Sequence, residues 1–195
     1  MAIMRSVNKT GGGASWLGIK TGTFSKIVDE SNKFDWADVY LVAEFQVEGS
    51  QYPRVLKIAG AWDRDAEGNI IDCSLLKRLT FFLDAMGEMG GVNQKGEWVD
   101  EDEKPVEDFC AHMNKYEGTE CTIYVFREKS KNGKLYTRIH NKILKKGADS
   151  EKNLEGYIEY LKKNGWIKEA SEEDAKTPVA KTSEFSAEAL EIANL

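Results

Sequence analysis

The stretch Thr122–Lys146, TIYVFREKSKNGKLYTRIHNKILKK, carries eight Lys or Arg and one Glu in a chain whose formal net charge is -6. Arg127, Lys129, Lys131, Lys134, Arg138 and Lys142 alternate there with two flat side chains, Tyr136 and His140. Cations that track phosphates and rings that stack on bases are what a surface needs to hold single-stranded nucleic acid. Asn132-Gly133 is the strongest short signal for a two-residue hairpin turn, because both central positions of a type I′ turn need positive φ. Centring the turn there sets Lys131 opposite Lys134, Lys129 opposite Tyr136, Arg127 opposite Arg138, Val125 opposite His140 and Ile123 opposite Lys142. The other face then collects Tyr124, Phe126, Leu135, Ile139 and Ile143, so one face is mainly apolar and the other mainly basic, with Val125 and Ile123 on the basic face and Glu128 on the apolar one. Arg127 facing Arg138 would destabilise an isolated hairpin by some tenths of a kcal/mol, and a polyanion would relieve that repulsion. A charged edge strand that resists aggregation is the competing explanation.

Arg54 and Lys57, on a neighbouring expected strand, extend the cationic track. Trp36 and Trp62 flank the first expected hairpin at one end; they either line the mouth of a groove or pack in the core. Other chemistries are poorly supplied. GASWLGIKTG from Gly13 has two glycines at phosphate-loop spacing, but Ile19 stands where the Lys must follow. Cys110, His112 and Cys121 lack the paired spacing of a tetrahedral metal site. Asp100–Glu103 lacks the alternation of a calcium loop. No G-x-S-x-G occurs. The expectation is therefore no enzyme, no metal and no cofactor. The three scattered cysteines, Cys73, Cys110 and Cys121, read as buried thiols in a reducing cytoplasm. No apolar run reaches the roughly 18 residues of a membrane span, and MAIMRSVNKTGGG lacks the apolar segment of a signal peptide.

These residues must be positioned by a framework. DVYLVAEFQV alternates with period two, placing Val39, Leu41, Ala43, Phe45 and Val47 on one face. YPRVLKIAGAW returns as a second strand, and GIKTGTFSKIV (18–28) precedes both. Leu75, Leu76, Leu79, Phe82, Leu83 and Met86 recur at helical spacing, with Ser74 as cap and Gly87 as stop. A Gly-rich, then acidic surface loop follows. A short helix comes next within PVEDFCAHMNKY, with Pro105 near its first turn. Past the basic hairpin, Leu154, Ile158 and Leu161 stripe another helix that Gly165 can end. The expected architecture is mainly β with helical insertions, an OB-fold-like five-stranded Greek-key barrel; an open α+β antiparallel sheet is the alternative. The expected organisation is a flexible arm (1–15), an OB-like nucleic-acid-binding domain (16–168) and an acidic, mostly disordered tail (169–195).

Charge is segregated along the chain. Residues 119–146 carry about +6, residues 84–108 about -7 and residues 169–195 about -5. A basic groove and a tethered acidic tail attract each other, so the tail competes for the groove and is freed for partners when nucleic acid binds. YEGTECTIYVFREKSKNGKLYTRIHNKIL, with the arm–core–tail organisation, resembles bacteriophage single-stranded DNA-binding proteins. That resemblance implies an OB-type core and non-specific coating of single-stranded DNA in replication and recombination. It also implies tail-mediated contact with replication proteins such as a polymerase or primase-helicase, residence in the host cytoplasm, and no membrane partner. The tail departs from the bacterial pattern, ending in EFSAEALEIANL rather than in aspartates before Pro-Phe. Homo-oligomerisation is compatible with the sequence. The rival reading is a protein-interaction module whose basic hairpin meets an acidic partner.

Overall fold

The computed structural model describes residues 16–130 and 132–170. The arm (1–15), Lys131 and the tail beyond residue 170 lie outside them. One antiparallel sheet dominates. Its long strands are β1 (Gly18–Asp29), β2 (Val39–Val47), β3 (Arg54–Gly60), β6 (Glu120–Lys129) and β7 (Leu135–Ile139), in the order β3-β2-β1-β6-β7. Between β3 and β6 the chain forms helix α1 (Ser74–Met86), a small hairpin of β4 (Gly91–Val92) and β5 (Trp98–Val99), and helix α2 (Phe109–Asn114). A two-residue strand, β8 (Leu144–Lys145), pairs with the start of β6, and helix α3 (Leu154–Lys163) follows.

β1 organises the sheet. Its first half, from Gly18 to Thr23, pairs with β6, and its second half, from Gly22 to Asp29, pairs with β2. The register shifts between Phe24 and Lys26, and such a bulge bends a strand and increases its twist. Gly22 sits where β1 changes partners: a Cβ there would meet the Ile123 Cδ1 at 2.6 Å. The sheet curls far enough that β3 and β7 come within 8 Å between Cα atoms. No hydrogen-bonded ladder joins these two strands. The sheet is therefore open along a β3/β7 seam, and closure into a barrel does not occur.

The concave face holds the main core. Val39, Leu41, Ala43, Phe45 and Val47 are all buried there, as their alternation requires, together with Leu56 and Ile58 of β3. The stripe of α1 (Leu75, Leu79, Phe82, Leu83, Met86) covers them. Cys73, not Ser74, caps α1: its Sγ accepts from the Leu76 N–H at 3.5 Å, while Ser74 is already the first helical residue. Gly87 ends the helix at φ 79°. Asp108 caps α2 by accepting from the Ala111 N–H, and Pro105 lies ahead of that helix. The acidic stretch after α1 is ordered by Glu88, whose side chain is nearly buried and receives His112, Tyr116, Lys115 and the Gly90 N–H.

The hairpin register differs from the expected one. Val125 pairs with Ile139, Phe126 with Arg138, Arg127 with Thr137, Glu128 with Tyr136 and Lys129 with Leu135. The Ser130 N–H donates to the Lys134 carbonyl and the Gly133 N–H to the Ser130 carbonyl, with Gly133 at φ 76°. Three residues thus separate the paired ends, a loop length that uses one left-handed glycine instead of the two positive φ values of a type I′ turn. A one-residue slip moves every side chain of one strand to the opposite face. It carries Ile139 to the concave core beside Val125 and Ile123, while Tyr124 and Phe126 face outward into a second core with Leu154, Ile158, Leu161 and Ile167. β6 is buried on both faces, so an alternating pattern could not set the register. Arg127 and Arg138 do not face one another. Arg138 bonds Glu128 at 3.0 Å instead, and the expected like-charge repulsion is absent.

Candidate nucleic-acid interface

The outer end of the β3/β7 seam is a groove of about 580 Å³. β3 and β7 form its floor, and the first turns of α1 and the chain around α3 form its walls. Four cations enter it: Lys57 from β3, Arg78 from α1, Arg138 from β7 and Lys142 from the turn after β7. Among the described residues, Glu128, paired with Arg138, is the one acid in the lining. The rings are Phe81, Phe126, Tyr157 and Trp166, and Trp166 is 69% exposed. Lys142 Nζ stands 4.0 Å from the Tyr157 ring centroid and 5.7 Å from that of Phe81. Arg78 Nη1 donates to the Ala59 carbonyl at 2.8 Å, which fixes the guanidinium against the end of β3. The Asn141 Oδ1, also in the groove, is buried without a hydrogen-bond partner among the described residues.

His140 reports the field in this groove. Burial, helped by the charges of Lys142 and Arg78, holds its pKa down at about 4. Its Nδ1 accepts from the Lys142 N–H at 3.1 Å, and its ring meets Tyr157 edge-on. His140 is therefore a neutral positioning residue for the Lys142 turn, not a cation or an open stacking platform.

A second aromatic group adjoins the groove through Lys57, whose Nζ lies 5.5 Å from the Tyr40 ring centroid. Tyr40 stacks on Phe34 at 4.1 Å, and Trp36 packs 6.0 Å from each. Trp36 remains 60% exposed. It sits in the β1–β2 connection, so a loop supplies the ring and the outer face of β2 and β3 supports it.

Among the other residues expected to act together, Tyr136 is exposed beside Arg138, whose guanidinium carbon is 5.5 Å from its ring centroid. Lys129 and Lys134 are exposed near the hairpin tip, away from the groove lining. Lys131 lies outside the described residues. Arg54 and Arg127 point to the concave side and converge on Trp16. Trp62 is a core residue: only 9% of it is exposed, and its backbone N–H is held by Asp38. It is not among the groove's lining residues; its indole belongs to the main core, with Nε1 beside Gly96 of the β4–β5 turn.

Arg78, Phe81, Tyr157 and Trp166 were missed by sequence reasoning. A signal existed for the first two: Ser74, Arg78 and Phe81 form an i, i+4, i+7 ridge beside the apolar stripe of α1. Among the described residues there is no group of three or more His, Cys, Asp or Glu placed to hold a metal, and no helix long and apolar enough to cross a membrane. The start of the acidic tail lies against β6. The Ala170 N–H donates to the Arg127 carbonyl, and Glu169 receives the Tyr124 hydroxyl and the Lys162 ammonium. Comparison with family models, with curated proteins and with solved structures finds no match to this chain.

Proposed function

We propose that this protein binds single-stranded DNA without catalysis and with little base readout, laying the strand along the outer β2–β3 face and into the seam groove. The observation that carries the reading is the continuous track from Trp36 and Tyr40 through Lys57 to Arg78, Arg138, Lys142 and Trp166. Rings and cations lie side by side along it, and among the described residues the groove portion is lined by one carboxylate, Glu128. Phosphates need the cations and bases need the rings; a site for one small ligand has no use for so long a path. The strand order, with α1 inserted between the third and fourth long strands, supports an OB-type connectivity left open at one seam. The resemblance to bacteriophage single-stranded DNA-binding proteins agrees with this, and assigns the acidic tail to contact with replication and recombination partners.

Fluorescence anisotropy with a labelled oligo-dT tests the reading. Four phosphate contacts predict a slope of log K against log salt of about -2.8, hence a roughly 50-fold loss of affinity between about 50 and about 200 mM salt. A chain ending at Ala170, which keeps Glu169 on β6, binds more tightly than the full chain because the tethered acids are gone. Absence of binding by either form at low salt overturns the reading and leaves the track as a docking face for an acidic protein.

A further inference from the structure

We propose that Arg54, Arg127 and Trp16 form a phosphate clamp on the concave side of the seam, gripping an internal phosphodiester of a strand as it leaves the groove. The inference rests on the single-strand reading above and adds a second contact point and a path. Arg54 lies on the same face of β3 as the buried Leu56 and Ile58, and Arg127 on the same face of β6 as the buried Val125. Both guanidiniums therefore emerge at one end of the concave core. Their central carbons stand 4.2 Å and 5.4 Å from the centroid of the Trp16 ring.

Neither guanidinium has an acidic partner among the described residues, and the Arg54 Nε is buried with no hydrogen-bond partner among them. A donor in that state needs an acceptor. Stacking on an indole uses the face of a guanidinium and leaves its in-plane N–H donors free for an oxyanion. Two guanidiniums beside one ring bring two sets of such donors together for the oxygens of a phosphate.

The clamp connects to the groove. Val55, next to Arg54, and Thr137, the cross-strand partner of Arg127, both line the groove. Glu128, next to Arg127, lines it too. Adjacent strand residues face opposite sides, so the two arginines lie on the concave face directly behind the Val55 and Glu128 end of the groove. A strand held by Lys57 and Arg138 reaches them by rounding the end of the sheet at Arg54, the first residue of β3.

The test compares the full-length wild type with the Arg54→Gln/Arg127→Gln double variant in oligo-dT binding over a salt series. With the clamp added to the four groove contacts the wild-type slope steepens to about -4.2, loss of two contacts flattens it by about 1.4 to the groove's about -2.8, and the Arg54→Lys/Arg127→Lys variant, which keeps the charge, restores the slope. The Arg54 Nε–H resonance, identified by its loss in Arg54→Lys, shifts when the oligonucleotide is added. A slope unchanged in the Gln variant while wild type binds overturns the clamp and leaves the groove standing. No wild-type binding at low salt overturns the single-strand reading itself. An effect seen only with 5′-phosphorylated oligomers overturns the internal path by assigning the clamp to strand ends.

Discussion

Glu128→Gln is expected to tighten binding to single-stranded DNA. Glu128 and Arg138 form a pair at 3.0 Å on the groove wall, each about two-fifths exposed. A phosphate that takes Arg138 shares its guanidinium with this carboxylate, which sets the two anions roughly 6 Å apart, a repulsion of about 0.7 kcal/mol at the dielectric constant of water. Removing the carboxylate charge therefore raises affinity about threefold at low salt, and less as screening shortens the reach of the interaction. The cost to stability is small, because an exposed pair is worth roughly 0.2–1 kcal/mol. The assay is oligo-dT anisotropy at low salt for wild type, Glu128→Gln, Arg138→Ala and the double variant. The gain should vanish when Arg138 is already absent. A gain cannot arise from damage to the fold, so affinity equal to or below wild type in Glu128→Gln refutes the placement of phosphate at Arg138.

The two tryptophans should separate stability from binding. Trp62→Ala empties a buried site and costs about 3–5 kcal/mol in denaturant unfolding. Trp36→Ala leaves stability nearly unchanged and weakens oligonucleotide binding by about 1–3 kcal/mol, with loss of part of the fluorescence quenching. Burial tends to raise the Glu88 pKa, but the Gly90 N–H, His112, Tyr116 and Lys115 outweigh it and hold the carboxyl at about 2. Its contribution of about 3 kcal/mol is present above pH ~4.5 and lost as pH falls toward ~2; urea titrations of Glu88→Gln should lack that acid-dependent loss. His140, held at about 4, charges on unfolding, so it lowers stability as pH falls from ~6.5 to ~4. A bound phosphate beside Lys142 raises its pKa, measurable from the imidazole resonance with and without oligo-dT; an unchanged value would place the strand elsewhere.

Much of the framework is legible in the chain itself. The period-two run of β2, the helical stripes of α1 and α3, the stop at Gly87 and the concentration of cations after Thr122 are local properties, set by side-chain spacing and by the φ that only glycine takes easily. That local chemistry points to a basic and aromatic surface. It does not place it. The register of the basic hairpin depended on β6 being buried on both faces, once by the concave core and once by α3, and that is a fact of packing. Asn132-Gly133 is compatible with either loop length, so the core chose, and its choice gave Arg138 to Glu128 rather than to Arg127. Trp62 reads like Trp36 in sequence, yet Trp62 fills the core while Trp36 packs against Phe34 and Tyr40 and meets solvent, a difference set by tertiary packing. Arg78, Phe81 and Tyr157 join Lys57 and Arg138 only where α1 and α3 wall the same seam. Residues roughly 20 to 100 positions apart share no local signal, and their meeting is decided by how a bulged first strand curls the sheet.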